Sequence, residues 1–355
     1  MKSVVVDKIA SVAQHSNVGG ELRLSADIPC EEGILIAVRV LNNKNRYNQL
    51  ELTSGRMATV NQGDIVVGAL GHRNALRGYS GHLPERLDIG DSIQLLNIGG
   101  VLGICDSANP DVGPPFNCEV LGTVLHFPYL GERIGVPARV GANVLDPDAV
   151  LVTNGVPVIA LAGTCMDSGK TAASCAIVSR LRHLGLHVAG CKATGVSLRR
   201  DILAMEDAGA QQTMIFSDLG IVTTTAKNGP ALTRALLTGL AEHEPDVIVL
   251  ELGDGLLGAY GVEAILSDDS IRAALTGVVL CANDPVSAWG GAKILRDQYA
   301  IEPLVVTGPA TDNAVGVDQI AERLALPAIN ALTNGVALGD LVAALLTSGK
   351  RGAGK

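Results

Sequence analysis

The chain has 355 residues, of which 47% are hydrophobic and 18% charged; this argues against disorder and leaves room for two domains with ordinary cores. Aromatic residues make up only 3%, so the core must be built from Val, Ile, Leu and Ala, a composition that favours buried parallel strands flanked by helices. A formal net charge of −9 without a Lys/Arg cluster argues against a nucleic-acid partner and against electrostatic docking on an anionic membrane.

No apolar run reaches the roughly 18–20 residues that span a bilayer. The N-terminal stretch MKSVVVDKIASVAQHS lacks the sustained apolar segment of a secretory leader. Seven cysteines are scattered singly, with no C-x-x-C, which argues against a disulfide framework and against a zinc site. The expectation is a cytoplasmic protein.

Residues 1–150 carry short β-type runs punctuated by Gly-Asp and Asn turns, among them Gly33–Val38, Gly63–Val67, Gly90–Leu95 and Gly122–Leu125. Strands at this spacing, with few helix-period stretches, predict a β-rich domain of barrel or sandwich type for substrate binding or docking. Between two of these runs lies the glycine-bracketed loop Gly71–His82, which concentrates His72, Arg73, Arg77, Tyr79 and His82. It reads either as a clamp for an anionic substrate or as a solvated hairpin connection. Two histidines ten residues apart, with no third ligand in view, make a poor metal site.

Asp146-Pro147-Asp148 reads as a linker, and the rhythm changes beyond it. Over residues 151–355 apolar strand runs alternate with helical patterns: Val156–Ala162 then Thr171–Leu184, His187–Ala193 then Leu198–Asp207. Ala231–Glu242, Val247–Leu250, Val278–Cys281, Val286–Asp297, Leu304–Val306 and Ala314–Leu324 continue the series. Such alternation predicts an α/β domain with an open, mostly parallel sheet and right-handed crossovers.

Between the first strand and first helix of this domain stands Gly163-Thr164-Cys165-Met166-Asp167-Ser168-Gly169-Lys170-Thr171, a match to the phosphate loop G-x-x-x-x-G-K-[ST]. Gly163 and Gly169 let backbone N–H groups turn toward an anion without Cβ clashes, and the following helix offers its positive dipole end. Thr164, Asp167 and Ser168 belong to the same loop; Lys170 would neutralise the β/γ oxygens and Thr171 would ligate Mg²⁺. The predicted binding partner is a nucleoside triphosphate.

An acid is expected where a later strand ends, and Asp246–Glu251 supplies one, followed by Leu252-Gly253-Asp254-Gly255. Glu251 ends the apolar run and is the favoured metal-associated acid, with Asp254 as its substitute.

The phosphate loop, beginning Gly-Thr and ending Gly-Lys-Thr, resembles that of dethiobiotin synthetase. Val188–Gly195 resembles that family's lysine-bearing strand, and Arg200-Asp201-Ile202 its acid at a helix start. The cobyrinate amidating synthetases belong to the same broad class. The resemblance covers roughly residues 156–330 and implies that Thr171, Asp201 and Glu251 ligate Mg²⁺ and that Lys192 reaches the γ-phosphate or a substrate carboxylate. Read without it, Lys192 is equally a strand-end lysine with its head in water and Asp201 a helix-N-terminal acid favoured by the dipole. Glu251-Leu-Gly-Asp-Gly255 departs from the family's Glu-Gly-Ala-Gly-Gly, and the β-rich first 150 residues have no counterpart there.

Asn283-Asp284-Pro285 reads either as a contact to the base or ribose or as a plain turn; it is not the N-K-x-D pattern of guanine recognition. Thr307–Asn313 either lines the pocket or starts a capped helix. Together these readings predict a MgATP-dependent, ligase-like or phosphoryl-transfer enzyme that activates a small carboxylate or carbamate, with Lys170 and Lys192 as catalytic cations. ATP is preferred over GTP on the resemblance alone, which also implies a homodimer. The alternative is a nucleotide-dependent accessory or switch protein in cofactor delivery or maturation.

Overall fold

Valine- and isoleucine-rich runs become strands in both halves of the chain, but the two halves assemble them differently. The computed structural model describes residues 2–129, 131, 133–141 and 145–352. They fall into two units, the first comprising Met1–Leu145 with Val196–Arg200 and Phe216–Thr223, the second comprising Asp146–Gly195, Asp201–Ile215 and Thr224–Lys355.

The principal strands of the first unit are β1 (Lys2–Val5), β2 (Glu21–Ser25), β3 (Leu35–Val40), β4 (Ile65–Leu70), β5 (Ser92–Leu95), β6 (Val101–Ala108) and β7 (Phe116–His126). β3 pairs antiparallel with β4 and β7, β4 runs parallel to β6, and β5 joins β6 to β7. These pairings close a ring of five strands, so the β-rich unit is a barrel, with β2 and then β1 added outside β7. Its filling is aliphatic: Ile34, Ile36, Val38, Val67, Ile93, Val101, Leu102 and Val124 are buried together. At the β4/β6 seam a Cβ on Gly68 would lie 2.3 Å from the Gly100 carbonyl oxygen, so only glycine allows the backbones to approach there.

Two short stretches from beyond residue 195 belong to this unit because they complete its bonding. Val222 lies in the barrel's core cluster. Ser197 N–H donates to the Val222 carbonyl at 2.9 Å, the Asn97 amide donates to the Ser197 carbonyl at 2.8 Å, and the Thr223 hydroxyl donates to the His72 carbonyl at 2.6 Å.

Within the Gly71–His82 loop, Arg73 is only 4% exposed. Its guanidinium lies 5.5 Å from the Tyr47 ring centre and 5.9 Å from that of Tyr79, and it donates to the Tyr47 hydroxyl at 2.9 Å and to the Leu96 carbonyl. This arginine holds the loop to the barrel through stacking and hydrogen bonds.

The second unit is a six-stranded sheet of β8 (Val158–Gly163), β9 (Val188–Lys192), β10 (Gln212–Ile215), β11 (Val247–Glu251), β12 (Leu275–Cys281) and β13 (Val305–Thr307). The order is β10-β9-β11-β8-β12-β13, and every pairing is parallel. Among the described residues eight helices accompany it: α1 (Lys170–His183), α2 (Arg200–Asp207), α3 (Gly229–Ala241), α4 (Val262–Ser267), α5 (Asp269–Ala274), α6 (Pro285–Tyr299), α7 (Ala314–Leu324) and α8 (Gly335–Gly352). Ala173, Ile177 and Leu181 of α1 and Leu338, Val342 and Leu346 of α8 share one core with Ile159, Leu161, Val247 and Val279 of the sheet. Asp284 starts α6 through a capping box with Ser287 and with Pro285 in the first turn; Asn313 caps α7 by accepting from the Gly316 N–H. Among the described residues no helix is long and apolar enough to cross a membrane.

Candidate functional site

Strand order and register assemble the site. In the run β9-β11-β8 three parallel strands end side by side, with Lys192 in register with Glu251 and Glu251 in register with Leu161, two residues before Gly163. In an open α/β sheet the carboxyl ends of the strands are where ligands bind.

Gly163 closes β8, and residues 164–169 turn the chain into α1. A Cβ on Gly163 would lie 2.5 Å from Ser168 Oγ and 2.6 Å from Lys170 Nζ, so any side chain there would displace the Ser168 hydroxyl and the lysine head round which the loop curls. Gly169 (φ 88°) and Asp167 (φ 58°) take left-handed conformations that complete the turn. Lys170 is 6% exposed, and its ammonium donates to the Cys165 carbonyl at 2.8 Å, to Ser168 Oγ at 3.3 Å and to the Asp254 carbonyl at 2.5 Å. Its cation therefore lies within the loop at the start of α1, where helix N–H groups and dipole favour an anion.

Thr171, one residue on, donates its hydroxyl to Glu251 Oε1 at 3.3 Å, and Ser174 donates to Oε2 at 3.4 Å. Lys192 Nζ lies 3.7 Å from Glu251 Oε1 and pairs directly with Asp201 Oδ2. Glu251 is 1% exposed. Burial pushes its carboxyl above the ordinary carboxylate range; Lys192 pulls it down, while Asp201 adds to the upward push.

The structure thus brings Lys170, Thr171, Lys192, Asp201 and Glu251 together, and it is Glu251, not Asp254, that meets the Thr171 hydroxyl. Ser174 escaped the sequence reading; its signal was position, three residues after Thr171 on the same helix face.

Asn283 reaches the loop from the end of β12, its amide donating to Cys165 Sγ at 3.1 Å. Gly308, in the loop after β13, packs on the other flank: a Cβ there would lie 2.2 Å from the Ser168 carbonyl oxygen. Three side chains around the loop keep buried oxygens that accept no hydrogen bond: Thr164 Oγ1, Asn283 Oδ1 and both carboxylate oxygens of Asp254. Buried polar atoms of this kind are the ones a ligand, an ion or an ordered water would satisfy.

The donor chemistry fits a hard divalent cation. Thr171, Asp201 and Glu251 offer only oxygens, and a cation of the Mg²⁺ type takes one or two carboxylates together with phosphate and water oxygens. Among the described residues no cluster of three or more His, Cys, Asp or Glu side chains could hold a metal ion.

No protein-family model and no curated protein matches the sequence. Several solved structures share part of the fold at low similarity. The signal recognition particle receptor FtsY from Elizabethkingia anophelis aligns at TM-score 0.40 and 15% identity over 52% of this chain and 65% of its own, just under two thirds of its length. A DUF1611 family protein from Anabaena variabilis aligns at TM-score 0.41 and 12% identity over 59% of this chain and 62% of its own. The hydrogenase maturation factor HypB from Archaeoglobus fulgidus aligns at TM-score 0.38 and 15% identity over 54% of this chain and 91% of its own. The chain's own parallel sheet, its strand–loop–helix turn and the lysine held within that turn give the second unit a P-loop fold.

Proposed function

We propose that the chain is a MgATP-dependent enzyme that transfers the γ-phosphoryl group to a small carboxylate or carbamate, activating it for a later bond. The observation that carries this reading is the placement of a second buried cation, Lys192, on the strand next to the phosphate loop, 3.7 Å from the Glu251 carboxylate that meets Thr171. A protein that only holds nucleotide needs the Lys170 loop; a second ammonium beside the metal-side acid suits a reaction in which charge moves to the transferred group.

In this reading Lys170 binds the β- and γ-phosphate oxygens, leaving its loop carbonyls to do so. Thr171, with Glu251 and Asp201, would hold Mg²⁺, which supplies charge neutralisation for the phosphoryl oxygens when bound. Lys192 orients the acceptor carboxylate toward the phosphorus. Thr164 and Asn283, whose oxygens lie buried and unpartnered, would contact the nucleotide. ATP is chosen over GTP on the dethiobiotin synthetase resemblance alone.

The test is ADP release from MgATP by the purified chain with and without small carboxylates. Stimulation by a carboxylate supports transfer to a small acceptor. Turnover that only another protein stimulates would replace this reading with a nucleotide-dependent accessory function.

A further inference from the structure

Asp254 stands apart from the other acids of the site. Glu251 meets Thr171, Ser174 and Lys192, and Asp201 pairs with Lys192. Asp254 is 7% exposed, and both of its carboxylate oxygens are buried without a hydrogen bond. Its position is fixed by its surroundings. The backbone is left-handed (φ 66°), the main-chain carbonyl accepts from Lys170 Nζ at 2.5 Å, and a Cβ on the following Gly255 would lie 2.8 Å from the Thr164 carbonyl oxygen. Gly258 leaves room for the carboxylate itself: a Cβ there would lie 2.3 Å from Asp254 Oδ2. Lys170 and Lys192 both act on it electrostatically.

The Gly255 N–H acts on this carboxylate without forming a full hydrogen bond to it, and a buried carboxylate left that way is costly. The chain supplies no well-aligned donor, so the donor comes with the ligand, and a cationic one makes the strongest bond. Formal charge points the same way. Lys170 and Lys192 face Asp201, Glu251 and Asp254, so a second anion arriving beside a nucleoside triphosphate is repelled unless it brings positive charge with it.

We propose that Asp254 receives the ammonium group of the acceptor, so that the substrate is a small amino-carboxylate whose carboxylate lies toward Lys192. This rests on the phosphoryl-transfer reading above. In the activating step an acceptor carboxylate oxygen bonds to the γ-phosphorus, the bond from that phosphorus to the β-bridging oxygen breaks, and its electron pair leaves with ADP. No proton moves, and the ammonium stays protonated on Asp254.

The test uses the full chain with MgATP and matched acceptor sets: glycine, glycolate and acetate; β-alanine, 3-hydroxypropionate and propionate; 4-aminobutyrate, 4-hydroxybutyrate and butyrate; and both enantiomers of glutamate with 2-hydroxyglutarate and glutarate. In at least one set the amino member should stimulate ADP release 10-fold or more above both partners. Asp254→Asn and Asp254→Ser should each abolish that preference and raise the KM for the amino member 30-fold or more. A hydroxy acid that serves as well as its amino partner, a complete panel without any amino preference, or an Asp254→Asn protein that keeps the preference would each overturn the proposal. MgATP binding is titrated first: if nucleotide binds but no amino preference appears, only this inference falls, whereas absence of nucleotide binding removes the phosphoryl-transfer reading as well.

Discussion

The Thr171 hydroxyl and the Glu251 carboxylate meet at 3.3 Å although 80 residues separate them. One comes from the first turn of α1 and the other from the end of β11, and they meet because β11 lies directly beside β8, the strand that feeds the phosphate loop. The sheet order therefore delivers a carboxylate to the residue that follows the loop lysine, which is what an oxygen-liganded divalent cation requires.

Replacing Glu251 by Gln preserves shape but removes the charge offered to the cation. The Mg²⁺ concentration for half-maximal ATP turnover should rise by about 10-fold or more, since loss of one anionic ligand or its outer-shell contact typically costs that much. A Mg²⁺ titration of turnover at fixed ATP reads it directly, and an unchanged midpoint would remove Glu251 from the metal site.

Lys192→Met should cost stability as well as turnover. Its ammonium is flanked by Asp201 and Glu251, and its side chain is 10% exposed, so removal leaves two buried or nearly buried carboxylates facing each other. Breaking a buried pair from one side costs about 3–5 kcal/mol. Urea unfolding at pH 7 measures this, and Lys192→Met should recover part of the loss at acid pH, where the carboxylates neutralise.

Asp254→Asn should do the opposite in the ligand-free chain and stabilise it by about 1–3 kcal/mol near neutral pH, because it keeps the shape of the side chain but removes the buried charge. Burial raises the Asp254 carboxyl above its ordinary value of 3.8, against the pull of Lys170, the Gly255 backbone N–H and Lys192. A folded-state value above the unfolded one means that folding disfavours the charged form. The penalty is therefore fully present above the raised value, shrinks as pH falls through it, and is gone below about 3.8. Melting temperatures of the two proteins should converge on acidification; a gap that widens toward low pH would contradict the assignment.

Gly163→Ala places a methyl where Ser168 Oγ and Lys170 Nζ now lie. Lys170 must leave its position, so MgATP affinity should fall by about two orders of magnitude or more, in line with loss of the loop cation's contact. Because strand and helix survive, circular dichroism should stay unchanged while calorimetric titration shows the loss.

Much of the second unit was legible because its signals were local. Val247–Leu250 became β11, and Ala314–Leu324 is α7 residue for residue, since an apolar run or a 3.6-residue period bounded by a cap specifies both. The Gly163–Thr171 loop was legible for the same reason. The short edge strand Gln212–Ile215 was not, because two polar residues leave no period to read, and α8 (Gly335–Gly352) went unread although Leu338, Val342 and Leu346 recur at helical spacing.

In the first unit the β-type runs announced strands, but the choice between barrel and sandwich depends on β5 bridging β6 and β7, a long-range pairing. The grouping of Val196–Arg200 and Phe216–Thr223 with the barrel depends on bonds such as Asn97 to Ser197 across 100 residues. Arg73 shows the same limit in one residue: its glycine-bracketed loop looked open to an anion, yet Tyr47 and Tyr79 take its guanidinium.

The most direct test of the whole reading is equilibrium titration of MgATP into the wild-type chain and into Lys170→Ala. The wild type should bind one nucleotide at micromolar to sub-millimolar concentration, about 5–8 kcal/mol of binding free energy, and Lys170→Ala should lose at least 100-fold. A wild type that takes up no nucleoside triphosphate, or a Lys170→Ala protein that binds it as tightly, would contradict it.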